Sequence, residues 1–189
     1  MKTPAEFPVL FTDRFTLRKL EERDAEAVFS YFSKDEVTRY YDLESFTDLD
    51  QALEIISRWA ERFGKNEGYR WGIAETATDK IIGSCGYHNW DKEHYKAEIG
   101  FELHPDYWRK GVMSEVLKPV IAFGYNEMNV NRIEAFYDPD NLASKSCLEK
   151  AGFIFEGVLR QAAYEKGVFC DAAVCSMLRD EYMKKQSLL

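Results

Sequence analysis

The segment HPDYWRKGVMSEVLK, residues 104–118, puts Gly111 directly ahead of an apolar helical pattern, with Trp108, Arg109 and Lys110 in front of it. Open amides at a helix N-terminus, backed by the helix dipole, attract oxyanions. Glycine lets the backbone curl so that successive amides form a nest, and Arg109 and Lys110 can add charge at its rim. Taken alone, R-K-G also suits any surface turn entering a helix, so the segment reads equally as a turn or as an anion seat. On the preceding stretch AEIGFELH, a period of two places Glu98 and Glu102 on one strand face. His88, His94 and His104 have no metal-type spacing, and Cys85, Cys147, Cys170 and Cys175 contain no C-x-x-C pair. Reduced core thiols are expected rather than a zinc site or a disulfide framework. Neither G-x-x-x-x-G-K-[ST] nor a G-x-G-x-x-G after a first strand is present, which argues against a nucleotide-phosphate enzyme.

The chain that must position these groups has 189 residues, 46% apolar, 15% aromatic and 31% charged, an ordinary globular mix. That length predicts a single domain, 1–189, with a core over about 10–181. The net charge of −8 offers no electrostatic footprint for nucleic acid. No apolar run reaches the roughly 18–20 residues that span a bilayer. The start MKTPAEFPVLFTDRF lacks the pattern of a secretory signal, so a cytoplasmic protein is expected.

RFTLRKL reads as a first strand, and EERDAEAVFSYFSK as a helix with Asp24 as an early-turn acid. DLDQALEIISRWAERF carries Leu49, Leu53, Ile56, Trp59, Ala60 and Phe63 at helical spacing, with Gly64 as the stop. YRWGIAE and KIIGSCGYHNW predict a hairpin, and AEIGFELH a further strand in which Gly100 suits a bulge or a close approach. The helix after Gly111 has apolar rows Val112/Val116/Val120 and Met113/Leu117/Ile121. RIEAFYD, NLASKSCLEKAG and the stretches FIFEGVLR and GVFCDAAVCSML complete a mixed α/β order of about seven strands and four helices.

This order, with AEIGFELHPDYWRKGVMSEVL followed by a strand and then NLASKSCLEKAGF, resembles the GNAT acetyltransferase superfamily. The family's pyrophosphate loop, Q/R-x-x-G-x-G/A, falls on Trp108 to Met113, where only Gly111 fits the generic pattern. The Trp and Met variants, the opening TDRFTLRKLEERDAEAVF and the late GVLRQAAYEKGVFCDAAVCSMLRDE are similar to the RimJ/RimL branch. The resemblance implies an α/β GNAT fold, a mostly antiparallel sheet with a splayed parallel pair. Acetyl-CoA would bind between strands 97–103 and 132–137, with Phe101, Glu102 and Leu103 along its arm. Trp108, Arg109, Lys110, Gly111, Val112, Met113 and Ser114 would hold its pyrophosphate, and no metal is implied.

The reaction implied is direct attack of an amine on the thioester, most readily an α-amine at a protein or peptide N-terminus. Glu98 is the implied base, with Glu102 as the fallback. The family pattern N-x-x-A-x-x-x-Y is here NLASKSCL, so Asn141 is in place and Leu148 replaces the tyrosine. That excludes a tyrosine acid and leaves Ser144 to hold the leaving thiolate. His88, Tyr164 and Asp171 are implied at the acceptor end, with Tyr31, Tyr40, Tyr41 and Trp71 as pocket or core aromatics. KDEVTRYYDLES reads as a loop covering substrate or as a solvated face. A small-amine acceptor, or an acyl-CoA sensor without turnover, is the competing reading. A monomer or a homodimer is compatible with the sequence.

Overall fold

A computed structural model describes residues 6–187, so the first five residues of the segment read for a leader lie outside it. The chain forms β1 (Leu10–Phe11), β2 (Phe15–Lys19), α1 (Ala25–Phe32), α2 (Asp35–Thr38), α3 (Leu49–Gly64), β3 (Tyr69–Glu75) and β4 (Ile81–Asp91). It continues with β5 (Lys96–Leu103), α4 (Val112–Asn126), β6 (Arg132–Tyr137), α5 (Leu142–Ala151), β7 (Ile154–Glu165), β8 (Val168–Leu178) and α6 (Arg179–Gln186). The strands make one sheet in the order β1-β2-β3-β4-β5-β6-β8-β7. Every neighbour pair is antiparallel except β5–β6. The seven strands and four helices expected are all present. The additions are the two-residue β1, the single turn α2 and the terminal α6.

α3 starts where Asp48 accepts the amide of Asp50 at 2.8 Å and Gln51 folds back to accept the Asp48 amide at 3.0 Å. Its buried face is Ala52, Ile55 and Ile56, packed with Val28, Tyr31 and Phe32 of α1 against one side of the sheet. Leu49, expected on that face, is 39% exposed, and Gly64 lies inside the last turn with Lys65 as the cap. α4 buries Val112, Val116, Leu117, Val120 and Ile121 against the opposite sheet face, which presents Trp71, Cys85, Tyr87, Ile99 and Ile133. Truncating Leu117 there to alanine would cost about 2–5 kcal/mol, the usual range for a buried leucine.

Asp24 does more than favour a helix start. It is buried and takes two hydrogen bonds from Arg18, at 2.8 and 2.9 Å, tying β2 to the entry of α1. The Asp24 bond, with help from Asp79, raises the Arg18 guanidinium above its ordinary range despite partial burial.

Candidate active site

β5 and β6 pair at three positions only, Lys96 with Arg132, Ala97 with Ile133 and Glu98 with Glu134. Beyond Glu98, β5 stays with β4 as far as Leu103, and β6 stays with β8 as far as Tyr137. Residues 99–103 and 135–137 therefore face one another without a ladder, and the gap opens into a cleft of about 1370 Å³. The backbone groups freed along such a gap need partners, and an extended amide chain can supply them as an added strand would.

At one end of the cleft, Gly111 caps α4 in the left-handed region at φ +74°, and Arg109 is also left-handed at +59°. The amides of Val112, Met113 and Ser114 open α4 and have no acceptor within the helix. Arg109, Gly111 and these three residues all line the cleft. Glu115, an acid in the same first turn, would compete for the helix dipole, but Arg14 donates to it from Nε at 2.7 Å and from its amide at 2.9 Å. Partial burial resists its ionisation, yet bonds from Thr12 and Arg14 outweigh that and hold Glu115 below the usual carboxylate range. The Trp108 indole donates to the Leu103 carbonyl at 2.8 Å, pinning the loop to the end of β5. Lys110 is turned aside, its ammonium 5.5 Å from the Tyr107 ring centre, and does not line the cleft. A cradle of open amides beside a left-handed glycine suits a pyrophosphate.

Midway along, Asn141 caps α5 by accepting the Ser144 amide at 3.1 Å, and both residues line the cleft. Cys147 follows one turn on, and burial pushes its thiol up to about 11. A thiol so held stays protonated at neutral pH and is a poor nucleophile, which fits direct transfer without an acyl-cysteine. Leu148 is buried in the core.

The far end is built on the polar face of β3, β4 and β5. Arg70 crosses from β3 above Gly86 and Gly100, its register partners on the next two strands, and meets Glu102 in a buried ion pair. Ser84 donates to the other Glu102 oxygen, and the Tyr41 hydroxyl donates to the pair at 3.3 Å. Burial opposes the charge on Arg70, but Glu102 prevails and keeps the guanidinium protonated. The Glu102 carboxylate is thus committed to structure, which leaves Glu98 as the acid of that strand face open to the cleft. Gly100 sits in regular register opposite Gly86; the bulge lies on β4 between His88 and Asp91. The glycine leaves room for the side chains beside it, since a β-carbon there would lie 3.2 Å from His88 Cε1 and 3.3 Å from Arg70 Nη1.

Glu98 and His88 meet, Oε2 to Nε2, at 3.1 Å with both side chains partly exposed to the cleft. Burial works against the Glu98 charge, yet the His88 and Asn89 side chains outweigh it and hold the carboxyl below its ordinary range.

Tyr164 and Asp171 are not among the cleft-lining residues. Tyr164 is 65% exposed and packs on Phe169, while Asp171 accepts the Gln161 amide at 2.8 Å. β7 carries an irregularity of two extra residues between Leu159 and Ala163, where Gln161 is left-handed, and Glu165 at its end lines the cleft instead. Tyr40 and Tyr41 line the cleft, whereas Tyr31 and Trp71 belong to the core. Sequence reasoning missed Arg58 and Arg62 as cleft residues, because arginines on an α3 face look like a solvated surface; Trp59, read as an apolar-face residue, and Arg39, in the run read as a loop covering substrate or a solvated face, line the cleft as well. The hairpin tip reaches over this end, with Lys166 Nζ donating to the Thr38 carbonyl at 2.8 Å.

The acetyltransferase (GNAT) domain family matches residues 14–154. YoaA of Bacillus subtilis (strain 168), an uncharacterized N-acetyltransferase, is 43% identical over 173 residues, covering 92% of this chain and 98% of its own. The ribosomal α-N-protein acetyltransferase RimL, in complex with coenzyme A, superposes with TM-score 0.83 at 17% identity, over 92% of this chain and 99% of that one. A spermidine N-acetyltransferase from Vibrio cholerae, in complex with CoA and spermine, gives 0.77 at 19%, over 90% and 98%. At those identities the two structures share the fold alone. The chain belongs to the GNAT acetyltransferase family. It is an N-acetyltransferase that uses acetyl-CoA.

Proposed function

We propose that the acceptor is an α-amine, at the N-terminus of a peptide or protein, in a single-domain cytoplasmic enzyme. The observation that carries the choice is the Glu98–His88 pair, Oε2 to Nε2 at 3.1 Å beside the cleft, in which neither the carboxylate nor the imidazole approaches an alkyl amine in basicity. Such a pair is a weak base. An α-amine, with a pKa near 8, is about one part in ten neutral at pH 7, whereas an alkyl amine near 10.4 is about one part in 2,500 neutral. A weakly basic site therefore suits the first far better. The cleft's open outer wall also has room for the residues that follow an N-terminus.

Acetyl-CoA supplies an activated thioester. The chain's own groups do the rest: the Val112–Ser114 amides hold anionic oxygens, the gap between β5 and β6 aligns the arm, and Ser144 donates to the departing sulfur. Fixing both reactants in one cleft supplies much of the rate. A polyamine acceptor is the second reading, favoured by Asp42 and Glu165 on the cleft wall. Arg39, Arg58 and Arg62 on that wall oppose a polycation.

The test is release of CoA thiol from acetyl-CoA with peptides beginning Ala, Ser, Thr or Met, beside spermidine, free lysine and an aminoglycoside. Turnover confined to peptides, reduced about tenfold or more in Ser144→Ala at unchanged acetyl-CoA KM, is expected for a group acting mainly in the transition state. Turnover confined to a small amine would refute the acceptor. Tight acetyl-CoA binding without any turnover would point to a sensor.

A further inference from the structure

We propose that His88, not Glu98, takes the proton shed by the acceptor nitrogen, and that Glu98 is the positioning residue that fixes the His88 ring. The inference rests on the reading of this cleft as an amine-acetylating site. Nε2 of His88 lies 3.1 Å from Oε2 of Glu98. Two lone pairs at that distance would repel, so Nε2 carries a proton, and in the neutral ring it is Nδ1 that has the free pair. The Cε1–Nδ1 edge of the ring then faces the notch above Gly100, where an added β-carbon would lie 3.2 Å from Cε1 and 3.7 Å from Nδ1. A glycine leaves that edge clear where a β-carbon would crowd it, and His88, Glu98 and Gly100 all line the cleft.

The charged groups around the ring are Glu98 of β5 at one end and the Arg70 guanidinium of β3, which borders the same notch and donates to the Gly100 carbonyl at 3.2 Å. Lys96, further along β5, acts on Glu98. A carboxylate already stabilised by His88 and Asn89 is a weak base. A base oriented by an acid through its second nitrogen is a recurrent arrangement for proton transfer. As the nitrogen–carbonyl bond forms and the carbon–sulfur bond breaks, the nitrogen's surplus proton passes to His88 Nδ1. The sulfur leaves with the bonding pair, held by the Ser144 hydroxyl, and the imidazolium returns its proton to water while the thiolate takes one up.

Two readouts on the full chain test this. Long-range nitrogen-15 NMR of labelled enzyme, with His88→Gln identifying the resonance, reads the His88 tautomer with no acceptor present. The proton is expected on Nε2 in the native chain and redistributed in Glu98→Ala. A proton on Nδ1, or no change in Glu98→Ala, overturns the proposal. The second readout is kcat/KM against pH for the acceptor, peptide or small amine, that turns over. His88→Gln is expected to lose about 100-fold at neutral pH with unchanged acetyl-CoA KM, and to regain rate as pH rises and the amine deprotonates itself. Glu98→Ala is expected to lose less. The reverse order of losses would make Glu98 the base and sink the proposal. Because the tautomer is read without acceptor, a wrong acceptor class and a wrong proton carrier fail separately.

Discussion

Gly111 has a conformational task, not a steric one. At φ +74° it turns the chain so that the Val112–Ser114 amides point outward together, and a β-carbon there would meet nothing closer than Arg14 Nη2 at 3.8 Å. An L-residue in that region costs roughly 1–2 kcal/mol, with asparagine the least penalised. Acetyl-CoA affinity is accordingly expected to fall in the order Gly111, Gly111→Asn, Gly111→Ala, Gly111→Val, with the valine variant roughly 5- to 30-fold weaker, the equivalent of that cost. Calorimetric titration checks it, and a valine variant that binds like the native chain would remove the nest from the pyrophosphate site. Gly111 was legible because its neighbours and the following helix are contiguous in sequence. The Arg70–Glu102 pair was not, since its members are 32 positions apart and meet only because Gly86 leaves the strand between them bare. The Glu98–His88 contact has the same origin: each residue stood out alone, but only the β4–β5 register brings them together.

Among the elements, β6 and β7 are joined across β8 by charge. Arg132 grips Glu156 with two nitrogens at 2.7 and 2.6 Å, and Ser176 donates to the same carboxylate at 2.6 Å. Arg132 first, then Ser176, holds Glu156 at about 2 against an ordinary 4.5. A depressed folded pKa means the pair stabilises the fold fully above about 4.5 and loses its contribution as pH falls toward about 2. Thermal melts of native and Glu156→Gln chains should differ by a constant amount above about pH 5 and converge near pH 2. A gap that persists to low pH would show that Glu156 acts through packing. Elements with strong periodicity, such as α3 and α4, could be read from the chain. α6 could not, because Tyr182 and Met183 are its only apolar residues, adjacent rather than at helical spacing, and none of its residues is buried. β1 is two residues long, too short for alternation to register. The β7 irregularity has no mark in the sequence, because nothing in LRQAAYE singles out Gln161 as left-handed, and it is Glu165 rather than Tyr164 that lines the cleft.

Over the whole molecule, the order of strands and helices carried the fold, while most of the residues proposed to hold the cofactor could be picked out because they lie in two short runs, 108–114 and 141–144. The acceptor half draws on α3, β3, β4, β5 and the β7–β8 tip, so no single stretch announces it. Among the described residues no helix is long and apolar enough to cross a membrane. The Trp108 indole, tied to the Leu103 carbonyl and 40% exposed, has an optical consequence. It lines the cleft beside Gly111, and Trp59 lines the part proposed for the acceptor, whereas Trp71 is sealed in the core and Trp90, on β4 against Tyr69, does not line the cleft. The protein thus carries an intrinsic lamp at each mouth. Acetyl-CoA added alone should change the emission through Trp108, and Trp108→Phe should abolish most of that change. An acceptor added afterwards should be seen through Trp59, so the two arrivals can be timed separately in a single stopped-flow trace.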